Sequence, residues 1–118
     1  MKIIKSDYSQ DFNGSHRKYY DLPSARIIDV KHFDNTKESW HVHLLTTEVL
    51  FILEGKIEAR THGNIRKIVN ENEVVSFESN EWHIIKPLTP TTRILAFKYI
   101  NNSKSDTLDT IKDDWKGL

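Results

Sequence analysis

The residues best suited to chemistry in this chain are His41, His43, Glu48 and His83. His41 and His43 stand two apart in the run Trp40-His41-Val42-His43-Leu44-Leu45. Alternate side chains of a strand point to opposite faces, so both imidazoles share one face. Glu48 opens the next apolar run, Val49 to Leu53, with four residues between it and His43. A hairpin with a loop of that length returns Glu48 beside His43 on the same face. His83 supplies a third imidazole from a later strand-like segment. Three imidazoles and one carboxylate suit an octahedral divalent transition metal with two positions left open, and Fe, Mn, Ni, Co and Zn all accept that donor set. Such an ion can polarise a carbonyl, hold an enediolate or bind dioxygen.

The elements that must position these groups read as short strands. Arg26 to Phe33, Trp40 to Leu45, Glu48 to Leu53, Lys56 to His62, Ile65 to Val69, Val74 to Phe77, Trp82 to Ile85 and Thr92 to Ile100 each carry strand composition. Polar turns separate them: Asp34 to Glu38, Glu54-Gly55, Gly63-Asn64, Asn70 to Glu73 and Glu78 to Glu81. Lys56 to His62 alternates cleanly, with Ile57, Ala59 and Thr61 on one side and Lys56, Glu58, Arg60 and His62 on the other. Many short strands at regular spacing predict an all-β sandwich or barrel. Residues 6–24 are polar and irregular and read as an arm. Leu108, Ile111 and Trp115 recur at helical spacing behind Ser105 or Asp106, predicting a short C-terminal helix over 105–116.

Composition narrows the function. At 118 residues the chain has room for one domain with a real core. Its 17 basic and 17 acidic residues balance, so composition offers no phosphate-backbone binder and no nucleic-acid partner. The apolar runs are too short to span a membrane, and the N-terminal residues lack a signal-peptide core. The chain has no cysteine, so any metal must be held by nitrogen and oxygen. A soluble, cytoplasmic protein with a small-molecule ligand is the expectation.

The spacing His-x-His, four residues, Glu, six residues, Gly, carried by His41, His43, Glu48 and Gly55, resembles the first motif of the cupins. The second cupin motif falls on Asn72, Glu78, Asn80 and His83: the histidine matches, while its two glycines and its proline are replaced. The glycine that begins the first motif is replaced by Asn35. All three lost glycines are asparagines, the side chain that best tolerates left-handed backbone after glycine. The resemblance spans roughly residues 26–100. It implies a double-stranded β-helix (jelly-roll) barrel as a single domain over 1–118, with His41, His43, Glu48 and His83 as metal ligands. It also implies a metal-dependent isomerase or dioxygenase acting on a small oxygenated molecule, with a non-catalytic ligand- or metal-binding module as the alternative. Nucleotide-sugar epimerases of related fold rely on a catalytic histidine rather than on this ligand set.

Further residues are placed by alternation. Arg26 and His32 share a face with Ile28 and Val30, making His32 a candidate acid or base and Arg26 a candidate anion clamp, unless His32 sits exposed at the strand end. In the last strand, the cost of burying Lys98 argues that Tyr99 faces inward, as a packing residue or as a substrate contact and, with His32, a candidate catalytic acid or base. Trp40 and Trp82 point away from the metal, and His16 and His62 read as surface residues. Val49, Phe51 and Leu53 point away from the face of Glu48, and a strand apolar on both sides needs cover on both. A homodimer supplies that cover, with the arm or the C-terminal helix as the intrachain alternative.

Overall fold

The computed structural model describes residues 1–6, 8–12, 14–35, 40–100 and 113–115. The strands are β1 (Tyr8–Phe12), β2 (Ser15–Leu22), β3 (Ala25–Lys31), β4 (His41–His43), β5 (Thr46–Glu54), β6 (Ile57–Thr61), β7 (Ile65–Val69), β8 (Val74–Phe77), β9 (His83–Pro87), β10 (Arg93–Ile100) and β11 (Asp113–Trp115). They form a six-stranded sheet in the order β1-β2-β3-β10-β5-β8 and a five-stranded sheet in the order β11-β4-β9-β6-β7, and the recorded strand pairings are antiparallel. Ile28, Val30, Leu50, Ile52, Ile94 and Ala96 of the large sheet meet Ile57, Ala59 and Ile85 of the small one in a single buried core. At roughly 1.5–3 kcal/mol for each large aliphatic side chain removed from water, this shared interior is what closes the two sheets on each other.

Several expectations are corrected. Among the described residues of 6–24, β1 and β2 pair antiparallel instead of running irregularly, and β2 pairs with β3, so the arm lengthens the large sheet at its edge. Its alternation was hidden because the inward set, Arg17, Tyr19 and Asp21, mixes charge with an aromatic. The helix expected over 105–116 falls largely outside the described residues. Within that range Asp113–Trp115 is a strand, paired with His41–His43 in the register Asp113↔His43 and Trp115↔His41.

Tight turns hold the barrel, and they explain the altered motif. Asn72 and Asn80 adopt φ of 68° and 65°, in the left-handed region their glycine counterparts would occupy. Each is also tied to the first-motif strands: Asn72 N–H donates to the Ile52 carbonyl (2.7 Å) and Asn80 N–H to the His43 carbonyl (2.8 Å). Gly55 has φ +79°, and a Cβ there would lie 2.2 Å from both Thr89 Oγ1 and the Thr91 carbonyl. Asparagine has replaced glycine where shape alone mattered; at Gly55 there is no space for a side chain.

Candidate metal centre

The four singled-out side chains converge from both walls of the barrel. His41 and His83 are directly opposed in the β4–β9 pair, which puts their rings on one face with centroids 4.3 Å apart. His43 lies two residues along β4, its ring 5.1 Å from that of His41. Glu48 does not arrive by a hairpin. β4 belongs to the small sheet and β5 to the large one, so Leu44-Leu45 carries the chain across the barrel. The carboxylate therefore faces the imidazoles from the opposite wall. All four residues are buried, and one ligand atom from each lies within 4.8 Å of the others.

The electrostatics of the cluster call for a cation. Glu81 offers its carbonyl to His83 Nδ1 at 2.8 Å, so this nitrogen carries the proton and Nε2 turns its lone pair inward. His83 Nε2 is buried, has no hydrogen-bond partner, and lies 3.4 Å from Glu48 Oε1. His43 Nε2 lies 3.2 Å from Glu48 Oε2. A lone pair facing a carboxylate in a dry interior is unfavourable unless a positive charge sits between them, as a second proton on the ring or as a metal ion. Burial works to raise the pKa of Glu48, but His43, His83 and the charge of Lys98 outweigh it and hold the carboxyl well below the usual carboxylate range. Phe77, opposite Glu48 in the β5–β8 register, stacks on the His83 ring at 4.0 Å with planes 5° apart. It fixes the ring that Glu81 orients.

Beside the cluster is a cavity of about 40 Å³, lined by His41, His43, Glu48, Lys98, Arg17 and the apolar wall Ile28, Val30, Phe33, Leu50, Ile85, Ile94 and Ala96. By that measure it holds about three waters, enough for the polar head of a small molecule.

The remaining sequence candidates fall elsewhere. Tyr99 is 38% exposed and looks outward with Leu95 and Phe97. Lys98 looks inward instead: its side chain is 14% exposed and its Nζ lies 3.7 Å from Glu48 Oε2. The expected cost of burying that lysine is met by the carboxylate opposite it, in the register Lys98↔Glu48. His32 is exposed, with φ of 60°, and this left-handed residue reverses the alternation so that Phe33 turns into the core at 1% exposure. Arg26 lies on the inner face but is taken up by Asp21 (Nη2 to Oδ2, 3.1 Å) and sits over the Tyr19 ring. Trp40 and Trp82 point away from the cluster and flank His62, at ring distances of 5.2 and 6.2 Å. His16 pairs with Asp11 at 2.9 Å. Sequence reasoning missed Arg17, Phe77 and the inward lysine. The signal for Lys98 was its place in the alternating set Ile94, Ala96, Lys98.

No family model matches the chain, and no curated protein matches it. Solved structures do. A protein of Klebsiella pneumoniae with a double-stranded β-helix domain superposes with a TM-score of 0.72 at 11% identity, over 95% of this chain and 88% of that one. Pac13 from Streptomyces, described as a nucleoside dehydratase, superposes at 0.67 and 10% identity, over 100% of this chain and 94% of Pac13. HppE in its Fe(II) form superposes at 0.64 and 16% identity, covering 82% of this chain and 56% of HppE. The chain thus has a cupin-like double-stranded β-helix fold, and a buried His/Glu cluster that could hold a metal lies inside it. Among the described residues, no helix is long and apolar enough to cross a membrane.

Proposed function

We propose that His41, His43, Glu48 and His83 hold a divalent transition metal (Fe, Mn, Ni, Co or Zn), and that the protein is a metal-dependent enzyme acting on a small oxygenated molecule by isomerisation or dioxygenation. The observation that carries the metal is the buried His83 Nε2, which has no hydrogen-bond partner and stands 3.4 Å from Glu48 Oε1. When bound, the ion supplies Lewis-acid polarisation of a substrate oxygen. The chain's own residues do the rest. Glu81 and Phe77 hold His83 in one tautomer and one orientation, as metal-ligating histidines require. The apolar wall around Leu50 and Ile85 keeps bulk water from the reacting atoms. Lys98 places an ammonium beside the cluster, in the role the sequence assigned to His32 and Tyr99. The fold likeness to the Fe(II) form of HppE and to a nucleoside dehydratase supports the class of chemistry and leaves the reaction open.

A non-catalytic binding module is the second reading, favoured by the outward placement of both His32 and Tyr99. The buried Lys98 beside the ligands argues against a module that stores metal alone, and turnover assays on metal-loaded protein separate an enzyme from a ligand-binding module.

A homodimer is part of the same proposal. On the outer face of the large sheet Phe51, Leu95, Phe97, Tyr99 and Val74 are exposed on three adjacent strands, β8, β5 and β10. The arm does not cover them, because β1 and β2 are spent extending the sheet edge. A contiguous apolar face of this kind marks an interaction surface.

Metal uptake tests the proposal. Chelator-stripped protein titrated with each of the five ions is expected to bind about one ion per chain, and His41→Ala/His83→Ala to bind none while keeping its circular dichroism. Equal metal content in the folded double variant would overturn the ligand assignment.

A further inference from the structure

A second space lies behind the candidate metal centre. It measures about 250 Å³, against about 40 Å³ for the cavity beside the cluster, and its wall includes Ala59, Thr61, Ile65, Val75, Ser76 and Phe77. The strand registers relate the two spaces. Ala59 pairs with Ile85, Val75 with Leu50 and Phe77 with Glu48; the first of each pair lines the rear chamber and the second lines the cavity at the cluster. Directly opposed residues share a face of their sheet, so these side chains all look into the barrel. Thr61 of the chamber and His41 of the cavity both pair with His83, which stands between them. The two spaces are thus one row of side chains apart, and the stacked rings of Phe77 and His83 belong to that row.

We propose that the rear chamber binds a small uncharged molecule, an apolar ring or branched chain bearing one hydroxyl, and that its occupant holds the Phe77–His83 stack in place. The coupling to His83 rests on the metal reading above; the binding site does not. Size comes first: the cavity at the cluster has room for about three waters, so an organic body fits only behind it. Ala59, Ile65, Val75 and Phe77 give that body an apolar wall. Lys67 and Glu81 add one charge of each sign to the lining, which favours neither an anion nor a cation. The polar end is set by the edge of the sheet. Ile52 N–H donates to the Glu73 carbonyl and the Ile52 carbonyl accepts from Asn72 N–H, so the hydrogen-bonded pairs of the β5–β8 ladder continue at Leu50↔Val75 and Glu48↔Phe77. Ser76 lies between them and turns its N–H and carbonyl to the outer edge of β8, where a ligand hydroxyl can both accept and donate. β7 and β8 are the terminal strands of their sheets, and Ile65, 53% exposed, marks the mouth between them. The C-terminal strand β11 lies at the other end of the small sheet.

An NMR titration of the metal-free full chain tests the site with cyclohexanol as probe, against ethylene glycol and cyclohexanecarboxylate. Cyclohexanol is expected to bind about tenfold or more tighter than either and to shift the Ser76 amide and the Phe77 ring. Ala59→Leu fills the chamber and is expected to remove about tenfold of that affinity; should it fail to fold, Ile65→Ser at the exposed rim is expected to remove several-fold. A wild type that ignores cyclohexanol, binds the diol or the carboxylate as tightly, or binds it equally well in the folded variants overturns the site. For the coupling, saturating cyclohexanol is expected to raise the affinity for the metal ion about threefold, and the ion to raise that for cyclohexanol by the same factor. Phe77→Leu keeps an apolar wall without the stack and is expected to bind cyclohexanol while losing this effect. Metal affinity indifferent to cyclohexanol overturns the coupling alone. Failure to take up metal overturns the metal reading and the coupling with it, and the metal-free titration still decides the chamber.

Discussion

The two faces of β10 run side by side and do opposite things. Ile94, Ala96 and Lys98 look into the barrel, while Leu95, Phe97 and Tyr99 look out. Hydrophobicity alone would reverse them, because the outer set is larger and more apolar. What decides is the partner across the register. Ile94 and Ala96 meet Ile52 and Leu50 in the core, and Lys98 meets Glu48. Leu95 meets Phe51, which faces outward with it. The inner face is chosen by complementarity, the outer one is left with exposed apolar surface, and the charge that looks misplaced in the sequence lies where the strand reaches the His/Glu cluster.

The largest expected effect that tests this contrast is on stability. Phe77→Ala on the inner face should cost about 3–5 kcal/mol in urea unfolding, while Phe51→Ala on the outer face should cost less than about 1 kcal/mol in the monomer. Equal losses would erase the distinction between the faces. Next in size, Leu95→Glu/Phe97→Glu should leave the strand signal intact and shift sedimentation from dimer to monomer. A wild type that is already monomeric, or a dimer indifferent to the two charges, would remove the proposed role of the outer face.

The smallest effect is in the pH dependence of the metal-free protein. The folded-state pKa of Glu48 is depressed, so its ionisation contributes stability that is fully present above the ordinary carboxylate value and is lost as pH falls through the lowered one. Between about pH 5 and pH 3 the wild type should therefore lose more stability than Glu48→Gln, measured as unfolding free energy against pH. Parallel curves would show that the carboxylate is not held by its neighbours.

Most of the barrel was legible where one side of a strand was apolar and the other polar. From Ala25 to Ile100 the observed strands start and stop within a few residues of the expected ones. The left-handed turns at Asn72 and Asn80 were legible from the residue type alone. The ligand cluster was legible from spacing, but its construction was not. The gap between His43 and Glu48 fits a hairpin, and nothing local reports that Leu44-Leu45 instead passes between sheets. The N-terminal hairpin escaped because Arg17 and Asp21 share the inner face with Tyr19, so its polar pattern looked irregular. Lys98 escaped because its compensating charge lies fifty residues earlier in the chain, at Glu48. Local patterns report burial; they do not report which distant residue makes a burial affordable.

The short bond from Asn80 N–H to the His43 carbonyl has a consequence for binding. It fastens the turn before His83 to the strand that carries His41 and His43, and the His41↔His83 pairing fastens the two strands again. The long chain segment between the two motifs is thus already closed before any ion arrives, so its loop entropy is charged to folding and not to coordination. On the proposed metal reading, the three histidines would then act as one rigid set of donors: an ion would meet a fixed spacing, and the scaffold would discriminate against ions whose preferred bond lengths do not fit it.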